Sequence, residues 1–401
     1  MFDLTHMRIF IILLLLIGPV GAFESRSWTD TQGRKIDATF VRADDRMVIL
    51  KLKDGRETPF PLAKLTAADG KYVEASREQL TSSTPAKPTD SKDDGENPNF
   101  DSPWPETLKF SEDPEINVIE EDAGKKHFVY ESANYRYVCD VRLSQSVVKG
   151  FAVMFEATHL FCRSLPLGLN GGRKTAGKLQ IVLFENFDNY VAAGGPPSTA
   201  GVFMGGKAVV LVPLTSLGVR PVGSSYMLDR DKSSKTLPHE LTHQLTPDPY
   251  FGKGAMGWFT EGLAEYVANT PYRSGTYTVR GNLKAIVEYT TAYGSKDKGG
   301  RALGKKITMP PLKTFMLQDY ASFTAQAQLN YGCGLLITTY FLHLDGQGDA
   351  KRMKSYLKAL MAGDDAEKSL DLLLDGRTFE GLEKDIIKAW GSKGVDFTFA
   401  H

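Results

Sequence analysis

The spacing of apolar positions in the first part of the chain is typical of β-strands. Between residues 24 and 65, short apolar runs are separated by turn residues, including Asp54-Gly55 before the last run. The predicted strands cover residues 36–41, 47–52 and 58–62. We therefore predict a small β unit in this region, followed by a short helix.

A polar, proline-rich segment comes next. Residues 81–105 contain five prolines among Ser, Thr, Asp and Lys, with almost no aliphatic side chains. A segment of this composition buries too little apolar surface to fold and stays solvated. We predict that it is a spacer between two domains, at residues 23–80 and 106–401.

Beyond the spacer, the period of the apolar positions changes part-way along the chain. Runs of strand type lie at 135–141, 179–184 and 208–212, and a helix is predicted behind Ser144 as its N-cap. From residue 326 onward the helical period of 3.6 residues dominates. The predicted C-terminal helices include residues 335–344, 353–361, 370–374 and 382–390. We therefore predict an α+β fold in which a half with a mixed sheet precedes a mostly helical half.

The N-terminus has the features of an export signal. Arg8 precedes the apolar run 9–17, and small residues at 20–22 stand where signal peptidase cuts. We predict a cleaved signal peptide over residues 1–22 and a secreted or periplasmic mature chain that begins at Phe23. The alternative is an uncleaved anchor, but the apolar run is about half of the roughly 20 residues that a spanning helix needs. We therefore expect no stable membrane insertion.

The charge balance excludes several classes of partner. The 48 basic and 48 acidic residues give a formal net charge of zero, and 42% of residues are hydrophobic. Such a chain can bury a sizeable core, but it lacks the broad positive surface of proteins that bind nucleic acids or membrane surfaces. We therefore expect no nucleic-acid partner, and binding must depend on local sites.

The three cysteines have two interpretations. In an oxidising compartment, Cys139 and Cys162 could form one disulfide and leave Cys333 free. Alternatively, all three are small buried hydrophobic residues, since each stands in an apolar run.

One short motif has the spacing of a metal site. Residues 239–243 read His-Glu-Leu-Thr-His, and on a helix His239 and His243 lie one above the other on the same face. Their imidazoles can then bind one zinc ion, and Glu240 is placed to take a proton from a zinc-bound water. Thr236 as N-cap and Pro238 in the first turn favour a helix here.

A second motif offers the third ligand that tetrahedral zinc requires. Residues 258–266 read Trp-Phe-Thr-Glu-Gly-Leu-Ala-Glu-Tyr, and Thr260 is predicted to cap a helix with Glu261 and Glu265 on one face. Glu261 is then the third ligand, and Glu265 accepts the outer N–H of a zinc histidine. The alternative is a solvated pair of glutamates on a surface helix, although the apolar flanks argue for burial.

The two motifs together resemble those of a known family. His239-Glu-Leu-Thr-His243, followed after 17 residues by Glu261-Gly-Leu-Ala-Glu265-Tyr266, resembles the gluzincin metallopeptidases, in which two histidines and a glutamate bind zinc. The resemblance is closest to uncharacterised exported bacterial gluzincin-like proteins and extends more loosely over residues 106–401. It implies a zincin-like fold, a bound Zn²⁺ ion, and a peptide or protein substrate.

The sequence does not match the related metzincin pattern. That pattern continues with a glycine three residues after the second histidine and a histidine three residues later. Thr246 and Pro249 stand at these two places after His243. The third ligand is therefore expected from Glu261.

The gluzincin resemblance suggests a further catalytic residue. In gluzincin aminopeptidases, a tyrosine that follows the ligand glutamate in the sequence stabilises the oxyanion with its hydroxyl. Tyr331 stands at the matching place after Glu261. Packing of Tyr331 as a core aromatic explains the residue equally well.

The residues before strand 208–212 are candidates for substrate binding. Gly201, Val202 and Phe203 could form a sheet edge that pairs with an extended peptide. Packing alone is an equally good interpretation of this segment.

The N-terminal β unit resembles another known module. It is similar to the SLA-type homology domain, an SH3-like barrel at the N-termini of many exported bacterial proteins. The residues that carry this resemblance are Trp28-Thr29-Asp30, Gly33-Arg34, Ala38-Thr39-Phe40, Asp54-Gly55-Arg56, Pro61-Leu62 and Lys64-Leu65. The resemblance implies a small β-barrel that acts as a binding or tethering module, and it names no ligand. We expect a cell-envelope component as the partner of this unit.

The sequence thus predicts a secreted zinc-dependent peptidase. Zinc on His239, His243 and Glu261 would activate water, with Glu240 as general base. The alternative is a catalytically inactive zincin-fold protein that binds its partner through the SH3-like module. Loss of a ligand residue or of Glu240 would favour that alternative, and the sequence retains all four.

Overall fold

In a computed structural model, the chain forms two compact units, Met1–Asp94 and Gly95–His401. The predicted signal peptide, residues 1–22, lies outside the described residues. Among the described residues, no helix combines the length and apolar character needed to cross a bilayer. The structure describes residues 25–43, 47–53, 56–66, 68–73, 99–111, 113–175, 177–197, 199–229, 235–292 and 300–401.

The first unit contains a four-stranded antiparallel sheet of order β1-β2-β3-β4. Its strands are β1 (Arg26–Thr29), β2 (Lys35–Ala43), β3 (Met47–Leu52) and β4 (Glu57–Pro61). The three predicted strands are present, and the sequence analysis missed β1. Trp28 on β1 is buried and packs against Phe40 and Tyr72. A short 3₁₀ turn (Leu62–Lys64) and a helical segment at 68–73 complete the described part of this unit.

The end of the predicted spacer packs onto the second unit. Phe100 is buried in its core, and the Trp104 ring lies against Tyr266 and His343. The Asn99 side-chain amide donates hydrogen bonds to two carbonyl groups at the end of a long helix. Residues 99–105 thus belong structurally with the domain that follows them.

A mixed six-stranded sheet organises the first half of the second unit, in the order β10-β11-β9-β8-β7-β6. Strands β8, β9 and β11 run parallel, and the outer strands pair antiparallel, so that β10 and β6 are the two edges. The strands are β6 (Asn117–Asp122), β7 (His127–Glu131), β8 (Tyr135–Cys139), β9 (Leu179–Phe184), β10 (Val202–Met204) and β11 (Val209–Pro213). The predicted mixed sheet is therefore present.

Shorter sheets surround this one. Strands β14 (Tyr272–Arg273), β15 (Thr276–Thr278) and β5 (Thr107–Lys109) form an antiparallel sheet. Strands β12 (Val219–Val222) and β13 (Ser225–Leu228) form a hairpin, whereas β16 (Lys306–Met309) and β17 (Asp396–Phe399) pair parallel.

Helices cover the sheet and dominate the second half. The described helices of this unit are α1 (Gln145–Ser164), α2 (Phe187–Ala192), α3 (Thr236–Leu245), α4 (Trp258–Asn269), α5 (Asn282–Thr291), α6 (Leu312–Met316), α7 (Tyr320–Ala325), α8 (Ala327–His343), α9 (Lys351–Met361), α10 (Ala366–Leu374) and α11 (Phe379–Gly391). The predicted α+β class is confirmed. Cys139, Cys162 and Cys333 are buried in this unit and form no disulfide.

Helix α8 is buried on nearly all sides and crosses α4 at very short range. Two glycines allow this approach. A methyl group added at Gly262 would meet the Thr338 hydroxyl and the Gly334 carbonyl group, whose carbon would lie 2.7 Å away. Gly262 therefore fixes the position of α4, the helix that carries Glu261 and Glu265, against the core.

We expect Gly262→Ala to lower the free energy of unfolding by about 1–3 kcal/mol, the usual cost of overpacking a core. Thermal or urea unfolding followed by circular dichroism measures this change. Gly391→Ala is the matched control, because a methyl group at this helical glycine meets no atom within 4 Å. Equal stability of both variants would contradict the tight α4–α8 contact.

Candidate metal centre

Helix α3 presents His239 and His243 on one face, as their spacing predicts. Its other side is anchored in the core by Leu237, Leu241 and Leu245, which are buried. The side chains of the two histidines are 12% and 10% exposed. The helix therefore holds two imidazoles at a fixed place near the surface of the core.

Helix α4 brings Glu261 to the same place, but the predicted start of this helix was wrong. The helix begins at Trp258 rather than behind Thr260. Gly257 adopts a positive φ of 87°, which lets the chain turn into the helix earlier. The Thr260 hydroxyl instead accepts the Gly257 N–H at 3.0 Å and stabilises the first turn.

Three side-chain atoms converge at the meeting point of the two helices. His239 Nε2 lies 3.1 Å from Glu261 Oε2 and 3.1 Å from His243 Nε2, and the third side of the triangle is 3.2 Å. Among the described residues, this is the only group of three or more His, Cys, Asp or Glu side chains that could hold a metal ion. Tetrahedral zinc at about 2.0–2.2 Å from nitrogen and oxygen separates its ligands by about 3.3–3.5 Å. The buried triangle therefore fits a metal ion after a small expansion.

Glu265 lies behind His239, on the side away from this triangle. Its Oε1 is 3.2 Å from His239 Nδ1 and accepts a 2.8 Å hydrogen bond from Arg301 Nη2. A partner at Nδ1 leaves Nε2 to face the metal position. The outer nitrogen of His243, by contrast, has no hydrogen-bond partner among the described residues.

The charges of the site support one another. Burial by itself would raise the pKa of Glu261, but the two histidines hold it well below its usual range. Burial also opposes ionisation of Glu265, yet His239 and Arg301 lower its pKa to about 2. Burial would lower the pKa of His239, but Glu261 and Glu265 raise it well above its ordinary value. The site is thus built to hold positive charge between two carboxylates.

No family model matches this chain. No curated protein sequence matches it either.

Glu240 reaches the sheet edge and is not one of the three converging side chains. Its Oε2 accepts a 2.7 Å hydrogen bond from the backbone N–H of Phe203 on strand β10. The side chain is half-buried, between the helix and the strand. The carboxylate is therefore fixed next to the three converging side chains without joining them.

Strand β10 is an edge of the large sheet, and it faces Glu240. Phe203 lies opposite Val210 of β11, and its N–H points to Glu240 rather than to β11. Because the N–H and C=O of one strand residue point to the same side, the Phe203 C=O also faces this edge. Val202 pairs with β11. Gly201, the residue before β10, lies close to β11, and an added methyl group would be 3.3 Å from the Leu211 carbonyl oxygen.

Tyr331 lies beside the site, at the start of α8. Its ring stacks on the imidazole of His239, with centroids 6.1 Å apart and planes inclined by 13°. Burial, with the Glu261 carboxylate nearby, raises the pKa of its phenol. The phenol therefore remains protonated at neutral pH and can donate a hydrogen bond.

The sequence analysis missed two residues of this site. Tyr320 begins helix α7, and its hydroxyl donates a 2.9 Å hydrogen bond to Glu261 Oε1, the oxygen outside the triangle. The phenol of Tyr331 lies near this hydroxyl. Arg301 holds Glu265, as described above. Neither residue belongs to a motif or to a spacing pattern that the sequence could reveal.

Proposed function

We propose that the chain is a zinc-dependent peptidase of the gluzincin type. The observation that carries the proposal is the buried triangle of His239, His243 and Glu261, with the Glu240 carboxylate next to it. Two histidines and a carboxylate that leave one position open are the ligand set of catalytic zinc in several peptidases. Zinc is favoured over softer or harder metal ions because two imidazoles and one carboxylate oxygen suit it.

The chain would hold the zinc ion on His239 Nε2, His243 Nε2 and Glu261 Oε2. When bound, zinc supplies a Lewis acid that lowers the pKa of a water molecule and polarises a carbonyl group. Glu265 fixes the ring of His239, and Tyr320 occupies the second oxygen of Glu261. These contacts keep the three side chains oriented before the ion arrives.

Glu240 serves as general base in this proposal. The Phe203 N–H holds Oε2, so that Oε1 takes a proton from the attacking water and gives it to the leaving amine. Tyr331, on helix α8, keeps its phenol proton and stabilises negative charge on the substrate oxygen, whereas the Tyr320 hydroxyl remains with Glu261. Glu240 and Tyr331 thus divide proton transfer and charge stabilisation between them.

The substrate in this proposal is an extended peptide or protein segment. The outer edge of β10 offers the Phe203 C=O and the neighbouring Gly201 backbone, whereas the Phe203 N–H is held by Glu240 and Val202 pairs with the sheet. A peptide backbone can add to such an edge through main-chain hydrogen bonds. Glu240 lies against the same edge, so that the reacting bond and the base would be adjacent.

The zincin-like fold of residues 106–401 and the SH3-like nature of residues 23–80 are parts of the same proposal. The mixed sheet, with its edge strand β10 beside helix α3, supports the zincin-like fold. The small four-stranded antiparallel sheet supports the SH3-like unit. The signal-like residues 1–22 support a secreted or periplasmic location. In that location the β unit would bind a cell-envelope component and place the peptidase near its substrates.

A metal and cleavage assay of the mature chain tests the proposed function. We expect about one zinc ion per chain and cleavage of a diverse peptide library, read by mass spectrometry. 1,10-Phenanthroline should abolish cleavage, and added Zn²⁺ should restore it. Bound zinc without any cleavage would instead favour a binding protein, and a chain that binds no zinc would exclude the proposal.

A further inference from the structure

Arg301 forms a partly buried ion pair directly behind the proposed metal centre. Its side chain is 19% exposed, and Nη2 donates a 2.8 Å hydrogen bond to Glu265 Oε1. The same oxygen atom is 3.2 Å from His239 Nδ1. One carboxylate oxygen therefore joins Arg301 to the outer nitrogen of His239.

A second path leads from Arg301 to the same imidazole. The guanidinium carbon lies 4.8 Å from the centre of the Tyr331 ring, within the range of a cation–π contact. The same Tyr331 ring also stacks on the imidazole of His239. Arg301 therefore acts on the nitrogen of His239 through Glu265 and on its ring face through Tyr331.

The position of Arg301 is itself fixed. Its backbone N–H donates a 2.8 Å hydrogen bond to the Tyr289 carbonyl group at the end of α5. Burying a guanidinium is costly unless its partners compensate, and Arg301 Nε has no hydrogen-bond partner among the described residues. A residue needed only for packing would avoid this cost with an apolar side chain of similar size.

We propose that Arg301 is a positioning residue of the metal centre, which orients His239 through Glu265 and Tyr331. The proposal depends on the proposed metal site, but it does not require peptidase activity. It predicts that replacing Arg301 makes the position of His239 less well fixed, although Arg301 does not touch His239. The resulting loss of metal affinity can be measured even for a chain that cleaves no peptide.

The test measures the Zn²⁺ dissociation constant of the full mature chain by competition with a chromophoric chelator. We expect Arg301→Met to weaken zinc binding by about 10- to 100-fold, the usual effect of losing a residue behind a metal ligand. Arg301→Lys keeps the charge but loses the planar guanidinium group. Its zinc affinity should lie between those of the parent chain and Arg301→Met. The visible spectrum of the Co²⁺-loaded chain should change in Arg301→Met, because the coordination of His239 is altered.

Arg377→Met is the matched control. Arg377 pairs with buried Asp345 at 3.1 Å, and the exposure of this pair, 20% and 4%, nearly equals that of Arg301 and Glu265, 19% and 5%. Each variant removes one arginine from a buried carboxylate, while Asp345 keeps Arg352 and Glu265 keeps His239, so both should lose stability to a similar extent. Only the Arg301 variant should lose zinc affinity.

Three results would overturn the proposal. The first is parent-like zinc affinity in Arg301→Met, and the second is an equal loss of affinity in Arg377→Met. If Arg301→Met does not fold, Arg301→Gln carries the same expectation and the same contradiction. The third is a parent chain that binds no zinc, which excludes the proposed function together with this inference.

Discussion

Replacing Glu240 by Gln is expected to lower kcat/KM for peptide cleavage by about 10²- to 10⁴-fold, the usual contribution of a general base. The amide has nearly the same shape as the carboxylate, and its oxygen can still accept the Phe203 N–H that now holds Oε2. It cannot take up a proton at neutral pH. Zinc content should be unchanged, because Glu240 lies outside the triangle of converging side chains.

Peptide cleavage and zinc content measured on the same preparation separate these two effects. Glu288→Gln, on the exposed face of α5, is the control for loss of one negative charge and should behave as the parent. Parent-like cleavage by Glu240→Gln would exclude Glu240 as the base. Loss of zinc in the same variant would assign Glu240 to the metal ligands instead.

The helices of the candidate metal centre can be predicted from the sequence because their information is local. Residues four apart lie on one face of any helix, so the pairs His239/His243 and Glu261/Glu265 each define a face before any fold is known. The close approach of the two faces, with atoms 3.1–3.2 Å apart, is a property of the fold. It depends on contacts such as that of Gly262 with helix α8.

Tyr320 and Arg301 illustrate what the sequence cannot supply. Tyr320 reaches Glu261 across 59 residues, and Arg301 reaches Glu265 across 36. Such contacts depend on how several helices pack, and no period in the sequence encodes them. The two residues are therefore found only when the three-dimensional arrangement is known.

Local competition explains two further differences. The sequence favours Thr260 as a cap because its hydroxyl suits that role, but Gly257 turns the chain into the helix three residues earlier. The polar composition of residues 81–105 predicts a spacer that extends to residue 105. Phe100 and Trp104 are the aromatic exceptions in that segment, and both pack into the second unit.

Replacing Glu261 by Gln is expected to have the largest effect on the metal. Structural zinc sites with four protein ligands bind with about 10–16 kcal/mol, so an even share for one ligand is about 2.5–4 kcal/mol, or about 10²- to 10³-fold in affinity. Glutamine keeps the size of the side chain but has one oxygen, which can either accept the Tyr320 hydroxyl or face the metal. The loss therefore comes from the missing negative charge together with the missing second oxygen. Chelator competition measures it, and cleavage should fall in proportion to the zinc that is lost.

The order of three variants is a stricter test than any single value. Glu261 contributes an atom to the triangle, Glu265 contacts His239 Nδ1, and Glu288 is an exposed residue that takes part in neither contact. Zinc affinity should therefore fall most in Glu261→Gln, by about 10- to 100-fold in Glu265→Gln, and not at all in Glu288→Gln. A larger loss of zinc affinity in Glu265→Gln than in Glu261→Gln would mean that Glu265, rather than Glu261, is the metal ligand on helix α4.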